Sequence, residues 1–167
     1  MISREAGSWL LFRAGERDYA LRIDALAEIV VGRAPRLIPL VPIEVGGVLN
    51  CRGEPLPVVD GGLALEGRRS GSTRHTLVFE REELRVGILV DHVLRIDREL
   101  DPTRLTPIET PTSGAGACEA WKQTPLGRQL GIVNTESLLS RITDLLVRHA
   151  EHGRGEQSKE DPCHNGF

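Results

Sequence analysis

Two stretches of this chain repeat one another without a gap. Shifted by 67 positions, Leu10 falls on Leu77, Leu11 on Val78 and Phe12 on Phe79. Further along, Ala20 falls on Gly87, Leu21 on Ile88, Ile23 on Val90, Asp24 on Asp91, Leu26 on Val93 and Ile29 on Ile96. Apolar positions keep their phase, small residues meet small ones, and aspartate meets aspartate. Each stretch reads as strand, polar turn, strand: residues 9–14, 15–18 and 19–23 in the first copy, 77–80, 81–83 and 84–90 in the second. Such a repeat restricts the chain to two similar units, with Phe12 and Phe79 in corresponding core positions.

Between the copies lies a second constraint, the run from Gly46 to Asp60. Val48–Leu49 and Leu56 with Val58–Val59 flank a polar turn. Gly53 takes positive φ at no steric cost, so Arg52, Gly53 and Glu54 form the tip of a β-hairpin. Pro55 and Pro57 lie two apart, so their missing N–H donors fall on one side of the strand, which should be an edge or a turn. The hairpin holds Arg52 out on a stiff tip, with Asn50 and Asp60 nearby.

The remaining segments follow in order. Asp24 has the chemistry to cap a helical turn through Leu26 and Ile29. Prolines 35, 39 and 42 make the next stretch extended and irregular. Residues 68–74, rich in Gly, Ser and Arg, are expected to form a mobile loop. After a Pro/Thr-rich loop at 101–116, a hairpin is expected from 117–121 and 130–133. Asn134 then falls where Asp60 fell. Asn134 or Thr135 caps a helix whose apolar stripe is Leu138, Leu139, Ile142, Leu145 and Leu146. Residues 151–167 carry nothing to bury and are expected to be disordered, with Gly153, Gly155 and Pro162 interrupting any helix. The architecture is all-β: two units of short strands and Gly/Pro turns that close into barrels, about 8–70 and 75–135, with a closing C-terminal helix.

Length and charge narrow the function. A chain of 167 residues suits one domain with a real core. Its longest apolar runs fall well short of the ~20 residues of a membrane span, and the N-terminal apolar segment is too short for a signal peptide, so a cytoplasmic protein without membrane insertion is expected. A net charge of −3, interspersed signs and 4% aromatic residues disfavour nucleic-acid binding. Cys51, Cys118 and Cys163 are odd in number and widely spaced, which is no disulfide framework. No nucleophile elbow, phosphate-binding glycine loop or zinc-protease motif occurs, so no catalytic residue and no cofactor is expected. His149, His152, Cys163 and His164 are metal-competent types at loose spacing, and no metal site is expected from them.

The hairpin string Asn50, Arg52, Gly53, Pro57, Val58, Val59, Asp60 resembles the Asn-Leu-Arg-Gly…Pro-Val-Val-Asp-Leu signature of CheW-like domains, scaffold modules of bacterial chemotaxis. Cys51 replaces the usual aliphatic residue, and Gly61-Gly62 stand where Leu-Arg is common. Residues 26–29, 86–91, 100–111 and 131–134 resemble further family segments, so the resemblance covers about 8–140, within a domain placed at 8–148. It implies two SH3-like five-stranded β-barrel subdomains with a closing C-terminal helix. It also implies a non-enzymatic adaptor that couples methyl-accepting chemoreceptors to a CheA-type histidine kinase. One barrel would pair with the kinase's regulatory domain, and the groove between barrels would hold the chemoreceptor's cytoplasmic tip. Glu28, Asn50 and Arg52 are the implied partner-binding residues; Gly53, Val58 and Asp60 are implied to be structural. An adaptor of a pilus, surface-motility or other chemosensory system, or a small ligand-binding barrel, stays open.

Overall fold

The computed structural model describes residues 7–39, 45–111 and 117–155. Strands β1 (Trp9–Ala14) and β2 (Arg17–Arg22) form the first hairpin, and a 3-10 turn at Ile23–Ala25 leads to β3 (Glu28–Val31). Next come β4 (Val45–Cys51), β5 (Glu54–Asp60) and a short helix α1 (Gly61–Glu66). The second copy opens with β6 (His75–Arg81), β7 (Leu84–Val90) and β8 (His92–Asp97). It ends with β9 (Thr106–Ile108), β10 (Cys118–Gln123), β11 (Gln129–Val133) and the helix α2 (Thr135–Gly155).

The repeat is real in three dimensions, but its hairpins are exchanged. One sheet runs β8-β1-β2-β11-β10-β9 and the other β3-β6-β7-β5-β4. Each sheet therefore has the opening hairpin of one half at its centre and the later strands of the other half around it. The order is the same in both, and β2–β11 and β5–β7 are the matching parallel pairs. The spatial units are accordingly not the sequential stretches 8–70 and 75–135. A repeat shows which segments resemble one another; the same local strand pattern serves whether a hairpin pairs within its own half or across. The first sheet also has a sixth strand, the short β9, beyond the expected five. The five-stranded sheet closes on itself, because Arg36, in the chain beyond β3, bridges Val48 of β4.

Exchange explains why the central strands are apolar on both faces. Leu77, Phe79, Ile88 and Val90 face a core cluster shared with Leu10, Phe12, Tyr19 and Leu21 of the other sheet. Their neighbours Val78 and Leu89 face the interior of their own barrel with Leu49, Leu56 and Val58. In β2, Ala20 likewise faces Leu130 and Ile132, opposite Tyr19 and Leu21. Phe12 and Phe79 are both 1% exposed, in corresponding positions of the shared core. Tyr19 stacks on Phe12 at 5.6 Å between ring centroids, and its hydroxyl donates to the buried Glu66 carboxylate at 3.1 Å.

Three aspartate or asparagine side chains close the turns that the sequence marked. Asp60 Oδ1 accepts from Leu63 N at 3.1 Å, capping α1, and from Ser70 N at 3.0 Å. Its counterpart in the later half, Asn134, accepts from Ser137 N at 2.9 Å and is the cap of α2. Asp91 accepts from Gly15 N and Ser72 N, both at 2.7 Å. Residues 68–74 are therefore pinned at Ser70 and Ser72, where a mobile loop was expected. The expected helical turn through Ile29 is also corrected. Only residues 23–25 are helical, and the β-branched run Ile29-Val30-Val31 joins a strand against β6.

The apolar stripe of α2 buries Leu138, Leu139 and Ile142 against the shared core, with Leu145 and Leu146 packed at its margin. The helix runs on to Gly155, so residues 151–155 are helical where disorder was expected. Once a helix is nucleated and capped, each further residue adds a hydrogen bond, which offsets the ~1 kcal/mol cost of a glycine. The rest of the expected disordered tail, 156–167, lies outside the described residues. No helix among the described residues is long and apolar enough to cross a membrane.

Candidate functional site

Cys51 ends β4 and Glu54 begins β5, so the hairpin turns on the two residues Arg52 and Gly53. Their φ angles of 55° and 90° are both left-handed, as a tight hairpin turn of this length requires. Gly53 adopts that conformation freely; Arg52 is held in it. The hold is visible: Asn50 Oδ1 accepts from Gly53 N at 2.9 Å across the turn. The turn also explains the prolines. Cys51 and Glu54 form the closing pair, so Pro55 and Pro57, opposite Asn50 and Val48, sit where no ladder donor to β4 is needed. On the other side, β7 pairs with β5 only from Val58 onward. The strand is internal, yet its proline half is unpaired on the side that lacks donors.

Glu28 reaches this hairpin from β3, at the opposite end of the sheet order, because the barrel is closed. Its Oε2 accepts from Arg52 Nη2 at 2.9 Å, and its Oε1 accepts from the Cys51 thiol at 3.1 Å and from Arg85 Nη2 at 3.2 Å. Arg85, on β7, also donates through Nη1 to Glu54 Oε2 at 2.8 Å and stands 3.7 Å from Glu80. Arg33 Nη1 donates to the Asn50 carbonyl at 2.9 Å. Both oxygens of Glu28 are thus engaged within the chain. The Arg52 side chain remains 80% exposed while that of Glu28 is 22% exposed, so of the two arginines bonded to Glu28 it is Arg52 that faces solvent.

The electrostatics keep this arrangement in one protonation state. The hydrogen bond from Cys51, then the charges of Arg52 and Arg85, hold the Glu28 carboxyl below its ordinary range. The same hydrogen bond, and burial, push the Cys51 thiol up. At neutral pH the pair is therefore a thiol donating to a carboxylate, and no reactive thiolate forms. Cys118 is likewise inert: burial pushes its thiol up to about 12, from an ordinary 9.0. It holds its proton more tightly folded than unfolded. Its contribution to stability is present below about pH 9 and is lost as pH rises toward 12. A Cys118→Ala variant should lose stability less steeply than the parent above pH 9.0. Denaturant titrations across that range check this, and equal slopes would remove the assignment.

Glu28, Asn50 and Arg52, singled out separately in the sequence, are brought together here. Asn50 is engaged in the turn, and Val58 and Asp60 lie behind it, in the barrel interior and at the cap of α1. Sequence reasoning missed Arg85 and the bond made by Cys51. Arg85 interrupts an apolar strand, but nothing local to β7 places it under a hairpin more than thirty residues away. Among the described residues no group of three metal-ligating side chains occurs. The expectation about His149, His152, Cys163 and His164 falls on residues whose side chains are not described.

The fold thus sets a stiff hairpin with an exposed arginine on one of two β-sheets that share a core. The model of the CheW-like domain matches residues 8–143, and the chain belongs to that family. It is 35% identical over 100 residues to the chemotaxis protein CheW of Rhizobium meliloti (strain 1021), covering 56% of this chain and 64% of that protein. It is 30% identical over 100 residues to a probable chemotaxis protein CheW of Rhizobium etli, at the same coverage. The matched region thus spans somewhat less than two thirds of either relative. Among solved structures, the scaffolding protein TtCheW of Thermoanaerobacter tengcongensis shares the fold. The TM-score is 0.63 at 22% identity, over 77% of this chain and 84% of that one.

Proposed function

We propose that the chain is a non-enzymatic cytoplasmic adaptor that couples methyl-accepting chemoreceptors to a CheA-type histidine kinase. The observation that carries this is the exposed Arg52, fixed in a left-handed turn and tethered by Glu28, at the position that matches the family signature. A guanidinium held this way loses little entropy on docking and offers a fork of donors to a partner's carboxylates. Glu28 and Asn50 act with it, by orienting the arginine and locking the turn. The outer strands β3 and β8, equivalent by the repeat, carry exposed Val31, Leu94 and Ile96, which suit the receptor's helical tip. The kinase's regulatory domain would pair with one barrel. No bond is made or broken; rigid barrels pass a receptor rearrangement to the kinase.

Replacing Arg52 by Ala tests this directly. An exposed ion pair contributes only about 0–1 kcal/mol, so the melting temperature should barely move. At an interface core the same change should weaken binding by about 2 kcal/mol or more, close to thirty-fold. Thermal melting and titration with a receptor tip fragment and the kinase regulatory domain, on one preparation, separate the outcomes. Unchanged affinity for both partners would sink the proposal.

A further inference from the structure

Beyond the hairpin tip, the five-stranded sheet carries a charge pattern that the adaptor role above does not use. From Val30 to Pro39, and again from Gly67 to Phe79, every residue of fixed charge is an arginine: Arg33, Arg36, Arg68, Arg69 and Arg74. In a chain of net charge −3 this is a local inversion. The fold concentrates it. Val31 pairs with His75, Gly32 N donates to Arg74 O at 2.9 Å, and Arg36 exchanges backbone hydrogen bonds of 2.8 and 2.9 Å with Val48. All five arginines are exposed. Arg33 donates to the Asn50 carbonyl, and Arg68 pairs with the exposed Glu16. Arg36, Arg69 and Arg74 make no ion pair with any described residue.

Apolar side chains lie among these cations. Leu37 is 82% exposed, Val31 64% and Ile38 41%. Leu37 and Ile38 line a cleft of about 490 Å³ with Pro35, Leu89, Arg69 and Asp60, whose carboxylate is engaged by the N–H groups of Leu63 and Ser70. Its walls are fixed in advance. The Arg36–Val48 bridge holds one, and the bonds from Ser70 N to Asp60 and from Ser72 N to Asp91 hold the other. A mixed cleft with exposed Leu37 and Ile38 and with Arg69 in its lining, beside the exposed Arg36 and Arg74, suits a ligand that brings both an apolar anchor and carboxylates.

We propose that this face binds an acidic protein segment carrying an apolar anchor. Leu37, Ile38 and Leu89 receive the anchor, and Arg36, Arg69 and Arg74 pair with flanking carboxylates. Nucleic acid fits less well, since neither segment that supplies the arginines presents an exposed aromatic ring for base stacking. A membrane surface fits less well because the apolar groups line a concave cleft, not a projecting face. The site does not rest on the adaptor proposal, and Arg52 is not part of it.

The experiment uses the full chain and a fluorescein-labelled peptide of glutamates around a central Leu-Phe pair, read by anisotropy. Binding should weaken steeply as salt is raised. It should fall at least about tenfold in the double variant R36E/R69E and several-fold in Leu37→Ser, yet stay unchanged in Arg104→Ala, whose exposed guanidinium lies outside this face. If R36E/R69E melts early, R36Q/R69Q should show an intermediate loss at unchanged melting. Equal binding of a peptide with lysine in place of glutamate overturns the electrostatic assignment. Equal binding of polyglutamate overturns the anchor. Phosphatidylserine vesicles bound in preference to the peptide would make the occupant a membrane, and no binding of the peptide would end the proposal.

Discussion

Phe79→Ala should destabilise the fold by about 3–5 kcal/mol, a large part of the ~5–15 kcal/mol by which domains of this kind are stable. Phe79 is 1% exposed and belongs to the core cluster that both sheets share. Little can collapse into the space it leaves, because its neighbours on β6 and β7 are fixed by ladder pairing on both sides. Phe79→Leu keeps most of the volume and should cost less than about 1.5 kcal/mol. The exchanged hairpins add a second expectation. Trp9 and Trp121 both lie in the six-stranded sheet, while Phe79 lies in the other. If the sheets fold as one unit, tryptophan fluorescence and far-ultraviolet circular dichroism should report one coincident transition, shifted equally by Phe79→Ala. A loss below about 1 kcal/mol, or a tryptophan signal that does not respond, would show that the shared cluster is not what joins the halves.

What was legible in the sequence was local. Alternation and the repeat placed most strands, and Gly53 beside Arg52 placed the tip. Asn134 announced the helix it caps, because a side-chain oxygen before a helix satisfies a donor that the helix itself cannot, whereas the short helix capped by Asp60 was not read from the sequence. The pairing of strands was not legible. Leu77 and Leu10 carry the same pattern whichever sheet they enter, and only tertiary packing chooses. β3 was misjudged because Asp24, Leu26 and Ile29 mimic the start of a helix, while the strand's stabilisation comes from β6, far along the chain. The site shows the same division. Glu28 and Arg52 were each identifiable, but their ion pair requires the closure of a barrel, and Arg85 enters only through that closure.

The family's common residues at positions 61 and 62 should not fit this chain. Gly61→Leu with Gly62→Arg is expected to cost at least about 3 kcal/mol and to shift the loop that follows α1. A Cβ on Gly61 would lie 2.5 Å from the carbonyl oxygen of Leu89, and one on Gly62 would run into that of Arg68. Both obstacles are backbone atoms, so no rotamer change relieves them. Helix propensity pulls the other way, because replacing a helical glycine gains up to about 1 kcal/mol each. A contact that close to backbone outweighs the gain, and the pair should lose stability even as Ala-Ala. Gly67 is the control. Its φ of 71° makes any side chain strained, but a Cβ there would meet nothing within 4 Å, so Gly67→Ala should cost only about 1 kcal/mol. Denaturant unfolding of the three variants decides the order. The loop that would be displaced carries Arg68 and Arg69, and Leu89 lines the same cleft, so the Leu-Arg variant should also lose affinity for the acidic peptide. An unchanged melting temperature would mean that the loop can stand away from α1 at no cost. The glycines would then reflect no close approach in solution.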